Sequence, residues 1–286
     1  MGEEGPRSPD PRGVPVSGTG YDGTVAVDVD RVMEAVRDWV WVPVDASDVS
    51  TSELRVIAYP GWWSVQWSCT DRLDALVEET VAHARAAGAD RLVWWVRPGT
   101  EPADTAHRLL ARGFGPGETL DVLALEVTAE SLAGIGAPTG GDVVVRTATD
   151  GPSLRLAGEI AAEVFDEPPP TPAQLAESAA QLADRPWRYR RWVVSVDGAP
   201  AGSAGATRTG DVVRLWGGAV RSAARGRGAY RALLAARCEA ALVAGASSVI
   251  VQGRVETSAP ILRRAGFQVC GQVVGFELRL DPSPPG

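Results

Sequence analysis

The stretch Arg225-Gly226-Arg227-Gly228 decides how this chain is interpreted, because it joins an apolar strand to a helix. The predicted strand covers residues 212–220, and the predicted helix runs from about residue 229 to Gly245. Glycines let backbone N–H groups turn toward one point, and a helix start adds unpaired N–H groups and a partial positive charge. The two arginines add full charges. The loop therefore predicts a binding site for a pyrophosphate group.

Two familiar phosphate-binding loops do not fit these residues. A Walker loop requires Gly-Lys-Ser/Thr, and the chain contains no lysine. A dinucleotide-binding fingerprint requires a third glycine, where this chain has Arg231, and an acidic residue at the end of the next strand. That strand, 249–251, is followed by Gln252 and Gly253. The sequence therefore lacks the carboxylate that would bind a ribose.

The segment 212–280 resembles the acetyl-CoA core of the GNAT N-acetyltransferase superfamily, whose loop has the pattern Gln/Arg-x-x-Gly-x-Gly/Ala. Arg225 and Gly228 match this pattern, and Tyr230 replaces its small last residue. Downstream, residues 258–267, ending in Ala265-Gly266-Phe267, are similar to the family's helix that ends in Gly-Phe before a last pair of strands. The resemblance implies acetyl-CoA as co-substrate. The residues implied to bind it are Gly218, Val220, Arg225, Gly226, Arg227, Gly228, Ala229 and Tyr230, with Gly218 and Val220 acting through their backbones.

Composition sets further bounds. The length of 286 residues exceeds the usual single core and suggests two domains. The three cysteines, Cys69, Cys238 and Cys270, lack metal-like spacing, so no metal site is expected, and their odd number without a signal peptide favours the cytoplasm. No apolar run approaches the roughly 20 residues of a membrane span. Residues 1–20, rich in Gly, Pro and charge, are predicted to be a disordered tail.

An internal repeat divides the chain into two similar parts. The segment 87–97 matches 244–254, and Gly113-Phe114 recurs as Gly266-Phe267, each pair leading into an apolar strand. We therefore predict an α/β (α+β) chain of two tandem GNAT-like domains, each a mixed, mainly antiparallel sheet flanked by helices. The predicted boundaries are 21–128 for a degenerate domain, 129–142 for a flexible glycine-rich linker and 143–286 for the catalytic domain. These two domains are called the N-terminal half and the C-terminal half.

Only the C-terminal half keeps the phosphate loop. Aligning Gly88 with Gly245 places residues 68–71, Ser-Cys-Thr-Asp, where residues 225–228 stand. Asp71 would bring a negative charge to a helix start, where it would repel a pyrophosphate. The charge balance agrees, because residues 1–142 hold 11 Arg against 23 acidic residues, whereas residues 143–286 hold 17 Arg against 13. The polyanionic co-substrate is therefore assigned to the C-terminal half.

Tryptophans are concentrated on two predicted strands of the N-terminal half, as Trp62, Trp63, Trp67, Trp94 and Trp95. Strand alternation places Trp63 and Trp67 on one face and Trp62 on the other. We expect most of these rings to lie in the core or in a domain interface. The alternative is that they form a wall of the acceptor pocket.

Acceptor binding and proton transfer are assigned mainly to acidic residues, because residues 143–286 contain no histidine. Direct acetyl transfer requires a neutral amine, a polarised thioester carbonyl and a route for the amine proton. Glu256, after the 248–253 strand, is the candidate general base, and a charge at a helix start is its alternative role. Asp166, Glu167 and Trp216 are assigned to substrate binding. The two carboxylates alternatively end a helix before the rigid turn Pro168-Pro169-Pro170.

The general acid that the resemblance implies is missing. Many family members place a tyrosine five residues before the Phe of the Gly-Phe pair, where this chain has Leu262, and the family's asparagine near the start of that helix is also absent. A thiolate is a weakly basic leaving group that can take its proton from water. The difference therefore indicates another acid or none, and Tyr189 and Tyr230 are the remaining tyrosines of this half.

These features predict an acetyl-CoA-dependent N-acetyltransferase that transfers the acetyl group directly to a primary amine, because Cys238 and Cys270 lack a base partner for a covalent step. A net charge of −8 and the candidate carboxylates fit a small cationic acceptor, such as an aminoglycoside-like or basic peptide antibiotic, an amino-sugar thiol or an amino acid. Antibiotic resistance or self-protection would be the corresponding role. A protein or peptide N-acetyltransferase and a non-catalytic acetyl-CoA sensor remain alternatives. Nucleic acid and membrane partners are not expected.

Overall fold

The computed structural model describes residues 27–37, 39–136, 142–184 and 188–280, so the predicted tail 1–20 lies outside the described residues. The helices are α1 (Val29–Arg37), α2 (Leu73–Ala86), α3 (Thr105–Ala111), α4 (Ala129–Ile135), α5 (Gly151–Phe165), α6 (Pro172–Asp184), α7 (Ala229–Val243) and α8 (Ser258–Arg264). The strands are β1 (Ser47–Asp48), β2 (Leu54–Tyr59), β3 (Trp62–Ser68), β4 (Arg91–Val96), β5 (Gly115–Glu126), β6 (Val143–Thr147), β7 (Tyr189–Val196), β8 (Ala199–Thr209), β9 (Val212–Val220), β10 (Ser248–Arg254) and β11 (Gln268–Arg279). Within these ranges no helix combines the length and apolarity needed to cross a membrane.

All eleven strands join one sheet in the order β1-β2-β3-β4-β11-β5-β10-β9-β8-β7-β6. Two neighbouring pairs are parallel, β3 with β4 and β9 with β10, and each pair is connected through a crossover helix, α2 or α7. The remaining pairs are antiparallel. The predicted mixed, mainly antiparallel sheet flanked by helices is therefore confirmed.

The last strand of each half pairs with the other half. β5 of the N-terminal half lies beside β10, and β11 of the C-terminal half lies beside β4. At the centre, β5 and β11 pair with each other. One long strand, β11, follows Gly266-Phe267, in agreement with the apolar strand predicted there, and β5 separates it from β10. This exchange makes the sheet continuous across both halves.

Helices cover both faces of the sheet. α7 and α8 pack on the face that carries Leu123, Leu215 and Val251, where they enclose an apolar core. On the opposite face, α1 packs against Val122 of β5 and Ile250 of β10. A helix from the N-terminal half thus covers strands that border the C-terminal site.

The segment predicted as a linker contains α4, which is a difference from the flexible structure expected from its glycines. Thr128 and Ser131 form a capping box in which each side chain accepts a hydrogen bond from the other residue's backbone N–H, both 3.0 Å long. Ile135 at the helix end is buried in the apolar core with residues of α7. Residues 137–141 of the predicted linker lie outside the described residues, and the domain boundaries stay a prediction.

Candidate functional site

A cleft opens between β9 and β10 in the C-terminal half. These strands pair only over residues 212–215 and 248–251, and beyond them β9 continues beside β8 while β10 continues beside β5. One edge of β9, residues 216–220, therefore faces the cleft with no strand partner in the described chain. Gly217 lies in a bulge there with φ of +59°, a conformation that favours glycine. Gly218 and Val220, the predicted backbone contacts of acetyl-CoA, lie on this segment.

The glycine-arginine loop, residues 225–228, follows directly from this edge through a short 3-10 helix, Ser222–Ala224. Gly226 and Gly228 have φ of +76° and +84°, so the loop follows a path that side-chain-bearing residues rarely adopt. Gly228 is the N-cap of α7 and offers no side chain to cap it. The first hydrogen bond of α7 runs from Ala232 N–H to the Gly228 carbonyl oxygen, 2.9 Å. The N–H groups ahead of Ala232 are therefore available to an anion.

The two arginines of the loop make different contacts. Arg225 donates from Nε to the Val220 carbonyl oxygen over 3.3 Å, which ties the loop to the end of β9. Arg227 forms an ion pair with Asp197 in the turn between β7 and β8, and this contact lowers the pKa of the Asp197 carboxyl. Both arginine residues are exposed. A bound phosphate would thus compete with Asp197 for Arg227.

Tyr230 packs beneath the bulge from the helix side. A Cβ on Gly218 would lie 3.0 Å from Cε2 of Tyr230, so a glycine is required for the ring to approach this closely. Arg237, which is 1% exposed, lies beside the ring and donates from Nε to the Leu233 carbonyl oxygen, 3.0 Å. Burial raises the pKa of Tyr230, and the Arg237 guanidinium opposes that rise. Ala229, the neighbour of Tyr230, is buried in the core.

Trp216 lies at the point where β9 leaves β10. Its indole covers Gly205 of β8 and donates from Nε1 to the Thr207 hydroxyl, 2.9 Å. The Arg191 guanidinium lies 5.3 Å from the centre of the indole, and the Tyr189 ring lies 5.6 Å away. These contacts hold the ring against β7 and β8, so packing is its observed role and acceptor binding stays a prediction.

Asp166 and Glu167 lie in the connection between α5 and α6. Asp166 ends α5 in a left-handed conformation, φ +57°, which is the helix-ending alternative raised by the sequence. Glu167 donates its backbone N–H to the Ala162 carbonyl oxygen and leaves its side chain exposed. Desolvation by the surrounding protein raises the pKa of the Glu167 carboxyl, and the positive charge of Arg254 opposes this rise.

Arg254, the last residue of β10, lies near the connection between α5 and α6. Its guanidinium lies 5.9 Å from the centre of the Phe165 ring and forms an ion pair with Glu118 of β5. Because β5 comes from the N-terminal half, the strand exchange brings a carboxylate of one half to the cleft end of the other half. Glu118 was not identified from the sequence.

Glu256 lies in the turn between β10 and α8, two residues beyond Arg254. It is exposed and forms no hydrogen bond or ion pair with any other residue in the described ranges. Thr257, the N-cap of α8, gives no side-chain cap. The Glu256 carboxylate is therefore accessible to a substrate or to water, and its role as base stays a prediction.

Leu262 is fully buried, and its Cδ1 would lie 2.9 Å from a Cβ on Gly253. The position of the family's tyrosine is thus filled by apolar packing of α8 on β10. Burial raises the pKa of the Cys238 thiol to about 12 and also raises the pKa of Cys270. Neither thiol is therefore an activated nucleophile. In the part of the chain that the structure describes, no group of three His, Cys, Asp or Glu residues could hold a metal ion.

In the N-terminal half, an acidic side chain of the protein itself contacts the corresponding loop, residues 68–71, and the residue that follows it. Glu53 accepts hydrogen bonds from the Thr70 hydroxyl at 2.6 Å and from Arg72 at 2.9 Å. These contacts, with Arg72 the larger cause, lower the pKa of the Glu53 carboxyl. Arg72 also pairs with Glu79. A carboxylate of the protein itself thus lies at the helix start where the C-terminal half presents free N–H groups.

Three residues of this region were missed by the sequence analysis, namely Glu53, Glu118 and Arg237. Glu53 and Glu118 contact residues on other elements, so no local pattern marks them. Arg237 left a detectable signal, because it follows Leu233 by one helical turn and so places a charge in the apolar stripe of α7.

The comparisons with known proteins agree with this geometry. The sequence profile described as the Acetyltransferase (GNAT) family matches residues 159–267, which include the cleft, the loop, α7 and α8. No curated protein sequence matches the chain. A GCN5-related N-acetyltransferase from Kribbella flavida has a TM-score of 0.61 and 17% identity, covering 91% of this chain and 98% of that one.

Two further solved structures show the same architecture. A GCN5-related N-acetyltransferase from Sphaerobacter thermophilus has a TM-score of 0.59 and 19% identity, covering 88% of this chain and 86% of that one. A tandem GNAT protein from the clavulanic acid biosynthesis pathway has a TM-score of 0.59 and 18% identity, covering 93% and 92%. At these identities the similarity concerns the fold, and it extends over both halves. Residues 159–267 thus match the GNAT acetyltransferase family, and the fold of the chain is similar to that of a tandem GNAT protein.

Proposed function

We propose that the C-terminal half transfers the acetyl group of acetyl-CoA directly to a primary amine on a small cationic molecule. The observation that carries this proposal is the unpaired edge of β9, residues 216–220, which leads through residues 225–228 into the uncapped start of α7. The family match supports acetyl transfer as the chemistry.

The residues present fit acetyl-CoA at both ends. The N–H groups ahead of Ala232 and the guanidinium groups of Arg225 and Arg227 would hold the diphosphate. The free edge of β9 at Gly218 and Val220 would hydrogen-bond the pantetheine arm as a strand would. Acetyl-CoA supplies an acetyl group activated as a thioester, and peptide N–H groups near the bulge are suited to polarise its carbonyl.

Proton transfer from the amine falls to carboxylates or water, because the C-terminal half contains no histidine. Glu256 has no competing partner among the described residues and can accept this proton directly or through a water molecule. Since Leu262 is buried, α8 supplies no acid at the family's position, and the departing thiolate takes its proton from solvent or another group.

The cationic character of the acceptor rests on the carboxylates near the cleft end. Asp166, Glu167 and Glu256 are all exposed, and none forms an ion pair within the described chain. Three accessible carboxylates around one cleft favour a positively charged ligand. Basic antibiotics such as aminoglycosides belong to this chemical class, and resistance or self-protection is the biological role proposed with it.

A thiol-release assay with acetyl-CoA tests the function. The amines to be compared are aminoglycosides, basic peptide antibiotics, polyamines, amino acids and a peptide. The double variant Arg225→Ala/Arg227→Ala should weaken acetyl-CoA binding at least about 100-fold, since two charge-assisted contacts are lost. Arg155→Ala/Arg264→Ala removes the same charge from exposed positions elsewhere and should bind normally.

Each outcome separates the alternatives. Release with cationic small amines that disappears in the Arg225/Arg227 variant supports the proposal, whereas release with the peptide alone identifies a protein or peptide N-acetyltransferase. Tight acetyl-CoA binding without release across the panel identifies a non-catalytic sensor. Absence of acetyl-CoA binding contradicts the assignment of the loop.

A further inference from the structure

A cavity of about 180 Å³ lies on the face of the sheet opposite α7 and α8, where the two halves meet. Residues that line it include Trp39, Trp62, Trp95, Gln66, Arg97 and Gln252. The rings form apolar walls, and Gln66 and Gln252 add amide groups from the two halves. Trp62 lies on this face while Trp63 and Val65 pack in the N-terminal core, as strand alternation predicts.

Arg97 is the feature of this cavity that lacks an explanation in the fold alone. The residue is 9% exposed, and its one side-chain hydrogen bond runs from a terminal nitrogen to the Val36 carbonyl oxygen, 3.2 Å. Its Nε has no partner in the described structure, and no described carboxylate pairs with it. Burial lowers the pKa of Arg97 to about 10, which leaves the guanidinium charged at neutral pH. Burying a charge without a counter-charge is unfavourable, and none of the described residues supplies the counter-charge for Arg97.

The internal repeat indicates where an acidic partner of Arg97 would lie. Arg97 ends the repeated segment 87–97, and Arg254 ends its counterpart 244–254. Arg254 is paired with Glu118, which is the fifth residue after Gly113. The fifth residue after the corresponding glycine, Gly266, is Gly271.

Strand register supports the same equivalence. Gln252, two residues before Arg254, lies opposite Val122, and Trp95, two residues before Arg97, lies opposite Gly275. Val122 comes four residues after Glu118, and Gly275 comes four residues after Gly271. The N-terminal half therefore keeps the arginine of this ion pair, whereas β11 of the C-terminal half has a glycine, Gly271, at the position that corresponds to Glu118.

A side chain at position 271 would point to the face of the sheet on which Arg97 is buried. A Cβ on Gly271 would lie 3.2 Å from Sδ of Met33 in α1 and 3.4 Å from Pro98, the residue after Arg97. The glycine therefore leaves this face without a carboxylate at position 271 and lets α1 and Pro98 pack close to the backbone of β11.

We propose that this cavity binds a small carboxylate with a flat apolar body, which pairs its carboxylate with Arg97 and places its body between the tryptophan rings. The donors of a guanidinium match a carboxylate in geometry and charge. Aromatic walls favour a flat apolar ligand. The volume equals about six water molecules at roughly 30 Å³ each, which suits a molecule of the size of benzoate. This site is separate from the acetyl-CoA site.

Calorimetric titration of the full chain with benzoate tests this inference. Benzamide has the same shape without the charge and should bind at least about tenfold more weakly, and benzylamine should not bind. Arg97→Met should weaken benzoate binding about 30-fold or more while keeping the fold, because an apolar side chain of similar length replaces an unpaired charge. Arg254→Met changes the equivalent arginine and should leave benzoate binding unchanged.

Gly271→Glu gives an independent test that restores the missing carboxylate. The new side chain should pair with Arg97 and abolish benzoate binding, and its thermal midpoint should lie above that of Gly271→Ala, which has the same Cβ contacts with Met33 and Pro98. Gly271→Ala is the matched control and should still bind benzoate. Equal binding of benzoate and benzamide, unchanged benzoate binding in Arg97→Met, or no saturable binding of benzoate by the wild-type chain would each overturn the inference.

Discussion

Residues 225–228 and 68–71 are the same loop of the repeat, and they differ in what lies at the helix start. In the C-terminal half the N-cap is Gly228, the first N–H groups of α7 are free, and the two arginines of the loop border them. In the N-terminal half Glu53 lies against Thr70 and Arg72. The strand, the loop and the helix persist in both halves. The comparison therefore predicts that only residues 225–228 accept a phosphate, because in the N-terminal half an internal carboxylate lies where the anion would bind.

The largest expected effect comes from placing at position 228 the aspartate that the N-terminal half has at the aligned position, Asp71. Gly228→Asp places a carboxylate at a helix start and at φ of +84°, a conformation that Asp adopts better than most residues. Acetyl-CoA affinity measured by calorimetry should fall about 100-fold or more. Asp71→Gly, the reverse change in the N-terminal half, should leave affinity unaltered. Wild-type affinity in Gly228→Asp would break the comparison.

A smaller effect is expected at the acceptor end of the same half. If Glu167 binds a cationic acceptor, Glu167→Gln should raise the KM for the acceptor about tenfold without changing acetyl-CoA affinity. The pKa of Glu167 is raised, so its carboxylate is neutralised at a higher pH than an ordinary glutamate. The wild-type KM should therefore rise as pH falls toward that pKa, and the variant should lose this dependence. A pH profile shared by both proteins would remove Glu167 from the site.

The repeat and the difference between its two loops could be predicted from the sequence, because they are marked by residues that lie close together in the chain. The glycines of the loop, the apolar strand before it and the Gly-Phe motifs lie close together in the chain, so the repeat and the position of the cleft followed from them. The strand exchange could not be predicted, because apolar alternation in β5 and β11 is compatible with either neighbour. Glu118 and Arg97 depend on that exchange, and for this reason their environments emerged only from the structure.

Asp197 gives a weaker test of the active loop. It holds Arg227 in an exposed ion pair, which an incoming phosphate must displace. Asp197→Asn keeps the acceptor for the Asp142 N–H and suits the left-handed conformation at this position, φ +51°. Acetyl-CoA affinity should improve by less than about fivefold, as expected for exposed ion pairs. A loss of affinity would show that Asp197 positions Arg227 productively.

Glu53→Gln should have the smallest effect on acetyl-CoA and tests whether the inactive loop is merely blocked. We expect no second binding site, since the arginines of the active loop are still missing there. The pKa of Glu53 is lowered, so its contribution to stability is present above the unfolded pKa of about 4.3 and is lost as pH falls through the folded pKa. The difference in thermal midpoint between wild type and variant should therefore shrink in acid. Stoichiometric binding of a second acetyl-CoA would show that Glu53 alone closes the site.

The exchange of β5 and β11 has a consequence for the history of such a chain. After a gene duplication, one copy can lose its loop freely, because selection on binding acts through the other copy. It cannot be deleted, because removing β5 would expose the edge of β10 and invite pairing with another molecule. The pairing of β5 with β10 and of β11 with β4 thus makes each half structurally necessary to the other, independently of which half binds a ligand.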